Sequence, residues 1–310
     1  MNLSRRIVVT VDRQGSRLAE FLGQPGGAQF EVFDGVDMRG SGWEAAAALV
    51  DQLEIHRLYA RPLSPGEVGC ALSHQKVLAV IAADESMGDH DVALVVEDDA
   101  TLHPRLESLL PWLVEQPFDV MPLHHGGLGL DEDAGRQLME RVFPMSPLAT
   151  QANGSEFRVG FTTPESWMLA VGYLVRKRAA RHLCRQDGLL LTRLPDDYRV
   201  IGDHGLRVCQ VRPSLIWESA VQPSSITPTG RVIGAGDATE CDVVRRLERQ
   251  AANRSLYLRK VTWLVARDLS SRLPWSVRHS APVESVRGAW NAALPHLPRR
   301  VRRLLRPGVQ

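Results

Sequence analysis

Lysine is almost missing from this 310-residue chain: Lys76, Lys177 and Lys260 are the three lysines among its 37 basic residues, and arginine supplies the rest. With abundant alanine, that usage points to a GC-rich bacterial genome. Cysteine is scarce as well. Cys70, Cys184, Cys209 and Cys241 are scattered without a CxxC pair, which argues against a zinc ribbon or a disulfide framework and reads as reduced thiols in the cytosol. Long apolar runs are absent: nothing approaches the roughly 20 residues that span a bilayer, and Ile7 to Val11 is too short a core for a signal peptide. Repeats and low-complexity segments are missing too. What remains, 44% hydrophobic and 24% charged, is the composition of a globular protein of one large domain with an appendage, or of two domains.

The net charge of +1 hides an asymmetry. Arg245 to Gln310 carries 15 Lys and Arg against three acids, so the body of the chain is acidic. A basic tail of this kind suggests its own partner, an anionic membrane or a nucleic acid. Within it, Tyr257, Leu258, Val261, Leu264, Val265 and Leu269 form an apolar helical stripe, with Arg259, Lys260 and Arg267 elsewhere on the wheel and Trp263 and Trp275 nearby. Such a helix lies on a membrane or packs on the body of the protein. No nucleic-acid motif is recognisable, so lipid ranks above nucleic acid.

In the body, strand-like runs alternate with helical ones, which predicts an α/β fold with a mostly parallel sheet. The runs are Ile7–Val11, Phe30–Phe33, Val92–Val96, Phe118–Met121, Trp167–Val175 and Val208–Val211. Helices are expected over Leu18–Leu22, Glu44–Tyr59, Leu102–Val114 and Arg176–Leu183. Ser64-Pro65-Gly66-Glu67 is the clearest start signal: a serine cap, proline at the first helical position and glutamate three residues on. That helix should run from Pro65 to about Asp84, with Glu67, Cys70, His74, Val77 and Ile81 on one face. Glu67 then serves either the cap or a site, and His74 either the core or a site.

The chain is organised around ALVVEDDA, residues 93–100, where a buried strand ends in Glu97, Asp98 and Asp99. Ligand crevices of open α/β sheets lie outside the carboxyl ends of strands. Three adjacent acids either form a hydrated turn or gather a hard divalent cation, magnesium or manganese. Arg13 and Arg17 stand at a predicted strand-to-helix turn, where they hold a diphosphate or simply meet solvent. His124 or His125, after the Phe118–Met121 run, is a further candidate ligand, and Asp196 and Asp197 form a second acidic pair at a turn.

Four stretches in this order resemble glycosyltransferase family 25, the lipooligosaccharide-type galactosyltransferases: VTVDRQGSRLAEF with FEVFDGVD; GEVGCALSH; ALVVEDDA; and GYLVRKRAARHL with PDDYRV and VCQVRPSLI. The resemblance covers residues 5 to 226 and implies a GT-A-like, nucleotide-sugar-binding domain over 1–235, followed by a basic helical segment over 236–310. It implies transfer of a hexose, by default galactose, from a UDP-sugar to a hydroxyl of a glycan acceptor with inversion; the basic tail suggests a lipid-linked glycan at the inner face of the cytoplasmic membrane, in envelope glycan synthesis. The roles the resemblance implies are Asp99 with Glu97 on manganese or magnesium, Asp98 on the ribose or metal, Arg13 and His74 at the donor, and Asp197 as base with Asp196 and Glu67 behind it; Arg17, at the same turn as Arg13, is a further donor-binding candidate. Between Asp197 and Cys209 the chain is short for the family. A non-catalytic binding protein on a degenerate version of this fold is the competing reading.

Overall fold

The computed structural model describes residues 2–124, 138, 140–152, 155–163, 170–187, 190–197, 205–219 and 248–271. The chain divides into two compact units: Met1–Gly126, Gln151–Val159 and Trp167–Asp237 form the first, and Gly127–Thr150, Gly160–Ser166 and Ala238–Gln310 the second. The strands are β1 (Leu3–Thr10), β2 (Glu31–Asp34), β3 (Val92–Glu97), β4 (Ala100–Leu102), β5 (Val120–Pro122), β6 (Thr150–Gln151), β7 (Arg158–Gly160), β8 (Gly172–Arg176), β9 (Gln210–Arg212) and β10 (Ile216–Glu218). The helices are α1 (Ser16–Gly23), α2 (Gly42–Ala47), α3 (Gln52–Tyr59), α4 (Pro65–Ala83), α5 (Leu106–Glu115), α6 (Lys177–Asp187) and α7 (Arg254–Ser271).

The first unit is built on a five-stranded sheet ordered β2-β1-β3-β8-β5. Every residue from Val92 to Val96 is fully buried, as the unbroken apolar run requires of a central strand covered on both faces. β1 runs parallel to β2 and β3, with Val8 opposite both Val32 and Val96. β8, however, is antiparallel to β3 and to β5. The sheet is therefore mixed, which corrects the expectation of a mostly parallel one. Arg176 gives the physical reason. It lies opposite Val92, buried, and its guanidinium donates to the carbonyls of His90, Val114, Gln116 and Phe118. Those acceptors lie at the start of β3 and the end of α5, so the last residue of β8 must sit where β3 begins.

α4 starts as its sequence dictates. Ser64 Oγ accepts from the Glu67 amide, and the Glu67 carboxylate accepts from the Ser64 amide. Val68, Ala71, Val77, Leu78 and Ile81 are buried along the helix. Gly69 lets α4 approach the chain after β2, since a Cβ there would stand 2.6 Å from the Val36 carbonyl oxygen. Ser73 fastens the same contact, its hydroxyl accepting from the Val36 amide and donating to the Gly69 carbonyl.

Distant partners split one expected helix and shorten the start of another. The stretch expected as one helix over 44–59 is split into α2 and α3. Leu49 and Asp51 exchange backbone hydrogen bonds with Leu191, and Asp51 then caps α3 by accepting from the Glu54 amide. Leu102, the first residue of the helix expected over 102–114, instead ends β4, antiparallel to β10, and that helix starts at Leu106. The Gln24 side chain holds β4 on its other side, donating to the Ala100 carbonyl and accepting from the Leu102 amide.

In the second unit, α7 turns Leu264 fully inward. Lys260 donates to the Val142 carbonyl and stands over the Phe143 ring, and buried Asp268 accepts from Ser146 Oγ. Lys260 thus belongs to the packed face rather than the solvent face. The four-residue spacing of 260, 264 and 268 puts all three on one side of the helix, leaving Tyr257 and Leu258 exposed.

Candidate active site

The alternation of side chains along β3 separates the acidic triplet as the strand ends. Glu97 turns toward α4, where its Oε1 lies 3.1 Å from His74 Nε2 and 3.3 Å from Cys70 Sγ. Asp98 turns toward β1, its Oδ2 accepting from Thr10 Oγ1 at 2.6 Å. Its backbone amide donates to the Val9 carbonyl, which fixes the turn at the end of the strand. Asp99 follows, its carbonyl accepting from the Ser219 amide just after β10.

Arg17, one residue into α1, joins two of the three acids. Its Nη2 lies 2.8 Å from Asp98 Oδ1 and 2.5 Å from Asp99 Oδ2. α1 is aimed by the turn before it, where Asp12 accepts from the Gln14 amide through its side chain and from the Gly15 amide through its carbonyl. Asp98 and Asp99 are both only 8% exposed, so the two acids and the arginine meet largely out of water.

Burial and crowding set the charge of the group. Burial, then the charge of Glu97, pushes the Asp99 carboxyl up to about 7 against the opposing pull of Arg17. Burial also raises Asp98, although Thr10 and Arg17 act against it. For Glu97 burial works upward, yet the hydrogen bond and charge of His74, with the Cys70 contact, hold its carboxyl below the usual range. The triplet therefore holds one firm carboxylate beside one poised to lose or gain a proton near neutrality.

The oxygen donors fit a divalent cation. Among the described residues, Asp99 Oδ1 is buried without a hydrogen-bond partner, an arrangement that costs about 1–3 kcal/mol if left unmet. A hard cation prefers such an oxygen, and it relieves the crowding of negative charge that raises Asp99. Glu218 on β10 adds to that charge.

Other residues singled out from the sequence have these partners. Arg13 pairs with Asp34 at 2.5 Å on the surface and donates to the Val32 carbonyl. Glu67 is held by its cap and by Arg61, whose two Nη atoms donate to both carboxylate oxygens. Asp197 accepts from the Tyr59 hydroxyl at 3.1 Å, and that hydroxyl accepts from the Leu194 amide. His124 is buried, with Nδ1 donating to the Ile216 carbonyl; His125 and Trp275 lie outside the described residues.

His74 belongs to neither a bare core nor solvent. It is 1% exposed, with Nδ1 2.9 Å from the Tyr173 hydroxyl and Nε2 on Glu97. A cavity of about 30 Å³ adjoins the pair, lined by Leu78, Tyr173, Leu191, Arg193 and Pro195 besides His74. Sequence reasoning missed Thr10, Tyr173 and Glu218. Thr10 carried one faint signal, a hydroxyl within the otherwise apolar run Ile7–Val11; the other two are brought in by strands far along the chain.

A family model described as glycosyltransferase family 25 (LPS biosynthesis protein) matches residues 5–197. No curated protein matches. Among solved structures 22 chains match, one of them the crystal structure of the galactosyltransferase LgtC in complex with donor and acceptor sugar analogs. It is 12% identical, with 81% of this chain and 95% of that chain covered and a TM-score of 0.33. At that distance it carries no argument about the site. The family match spans more than half of the chain, from β1 through the acidic end of β3 to Asp197, and the chain belongs to glycosyltransferase family 25.

Proposed function

We propose that the protein moves a hexose, galactose by the family's default, from a UDP-sugar to a hydroxyl of an envelope glycan acceptor, with inversion and with a divalent metal. The observation that supports this most is the partnerless Asp99 oxygen at the carboxyl end of the central strand, beside the arginine of α1. Asp99 would hold manganese or magnesium through Oδ1, with Glu97 adding negative charge. When bound, such an ion neutralises charge on a departing diphosphate as a Lewis acid.

The chain's own residues supply the rest. Arg17 is placed to turn its guanidinium from the two carboxylates to donor phosphate oxygens, and Arg13 stands at the mouth of the same turn. Asp98, fixed by Thr10, orients the ribose or the metal. His74 steadies Glu97. Asp197 is the proposed base that takes the proton of the attacking hydroxyl, with Asp196 and Glu67 behind it. Glu67 is the weakest of the three, because Arg61 and the Ser64 amide occupy its oxygens. Attack opposite the leaving group is then a matter of holding acceptor and donor in line.

Among the described residues no helix is long and apolar enough to cross a membrane. We place the protein in the cytoplasm, on the inner face of the membrane. Anionic lipid would be held by the basic C-terminal segment, where Tyr257 and Leu258 of α7 remain exposed.

The test is release of UDP from a panel of nucleotide-sugars by the purified chain, with manganese, with magnesium and with EDTA. Slow release from one donor, abolished by EDTA, is expected and would name the sugar. No release from any donor, with no UDP binding by calorimetry, would overturn the reading in favour of a non-catalytic binding protein.

A further inference from the structure

Cys70 and His74 stand four residues apart on α4 and so project from one face of a rigid helix. Glu97 at the end of β3 meets them there. The Cys70 sulfur, the His74 Nε2 and a Glu97 oxygen all lie within 4.8 Å of one another. Glu97 Oε1 is 3.3 Å from the sulfur and 3.1 Å from the nitrogen. Zinc bonds of about 2.3 Å to sulfur and 2.0–2.2 Å to nitrogen and oxygen, in a tetrahedron, set ligand atoms about 3.4–3.6 Å apart. The three side chains are thus within a few tenths of an ångström of that spacing on the two edges Glu97 shares.

We propose that Cys70, His74 and Glu97 form a second cation site, of thiolate–imidazole–carboxylate type, that takes zinc rather than magnesium or manganese. Thiolate and imidazole are ligands for a softer metal, whereas an all-oxygen set suits magnesium and manganese. The neighbouring oxygen of Asp99 and this cluster therefore select different ions.

The surroundings already suit the histidine. A metal-bound imidazole usually passes its other ring proton to an outer partner, and the Tyr173 hydroxyl lies 2.9 Å from Nδ1. A tyrosine hydroxyl can donate or accept, so it serves the metal-free tautomer and the one that frees Nε2 for a metal. Three protein ligands leave a fourth position for water. Binding releases the thiol proton to solvent as the metal takes its place. Glu97, drawn to the zinc, would then act less on Asp99.

The test uses the full chain, reduced, stripped of metal and free of any affinity tag. Cobalt is titrated as a spectroscopic stand-in for zinc. One equivalent should produce a thiolate-to-cobalt charge-transfer band, bleached by stoichiometric zinc and untouched by a hundredfold excess of magnesium. Cys70→Ser should abolish the band, Tyr173→Phe should weaken zinc about tenfold, and Asp99→Asn should leave the band in place. No band in the parent chain overturns the proposal, as does a band that survives Cys70→Ser. A readout without any variant is alkylation of the native chain with and without zinc: slower labelling of Cys70 is expected, and an unchanged rate overturns the site. None of these depends on sugar transfer, so the cation site and the glycosyltransferase reading stand or fall separately.

Discussion

Thr10 holds Asp98 by a single 2.6 Å hydrogen bond in a buried setting, and hydrogen bonds to charged groups contribute about 1.5–3 kcal/mol. Thr10→Val keeps the shape and removes the donor. Urea unfolding should show a loss within that range, and because Asp98 faces the proposed donor site, the KM for the sugar-nucleotide should rise as well. For Asp99→Asn the expectation is different. The fold persists by circular dichroism, and metal-dependent UDP release falls by at least about a hundredfold, the scale of losing a principal electrostatic contact in catalysis. Asp197→Asn should keep UDP binding by calorimetry and lose transfer; loss of binding instead would assign Asp197 to the donor. The acids themselves were legible in the sequence because three carboxylates after an apolar strand have few structural uses. Their division of labour was not, since Glu97 facing α4 and Asp98 facing β1 follows from which elements flank β3.

At the scale of elements, α4 is the case where local sequence was sufficient. Ser64, Pro65 and Glu67 give a capping box by spacing alone, and the helix runs from Pro65 to Ala83. Burial works to raise the Glu67 carboxyl, but hydrogen bonds from Arg61 and the Ser64 amide bring it below its ordinary value. Its contribution is then complete above the unfolded-state value near 4.5 and is lost as pH falls through the lower folded value. Glu67→Gln should therefore cost about 1 kcal/mol at neutral pH, with the gap to the parent closing below about pH 4 in denaturant titrations. Gly69 is the counterpart set by tertiary contact. Gly69→Val would drive a side chain into the Val36 carbonyl and should destabilise by about 1–3 kcal/mol, read as a lower urea midpoint. α2, α3 and β4 show the limit of local pattern: Leu191, which splits one expected helix, and β10, which takes the first residue of another, are supplied from far along the chain.

For the whole molecule, Arg176 ties the ends of several elements together through the carbonyls of His90, Val114, Gln116 and Phe118. Burial, then the nearby charge of Arg178, lowers its guanidinium to about 10, so it stays charged at neutral pH. Arg176→Met would strand several buried carbonyls at about 1–3 kcal/mol each. We expect a loss above about 3 kcal/mol, or failure to accumulate as soluble protein. The sequence by itself determined the α/β class, the central strand, the start of α4 and the acidic triplet, because burial period, caps and charge crowding are local properties. Tertiary structure decided the direction of β8, the pairing of Arg17 with Asp98 and Asp99, the meeting of Cys70, His74, Glu97 and Tyr173, and the inward turn of Lys260. Each of these depends on which distant segment arrives to satisfy a buried polar group, and that partner cannot be read from neighbours in the chain.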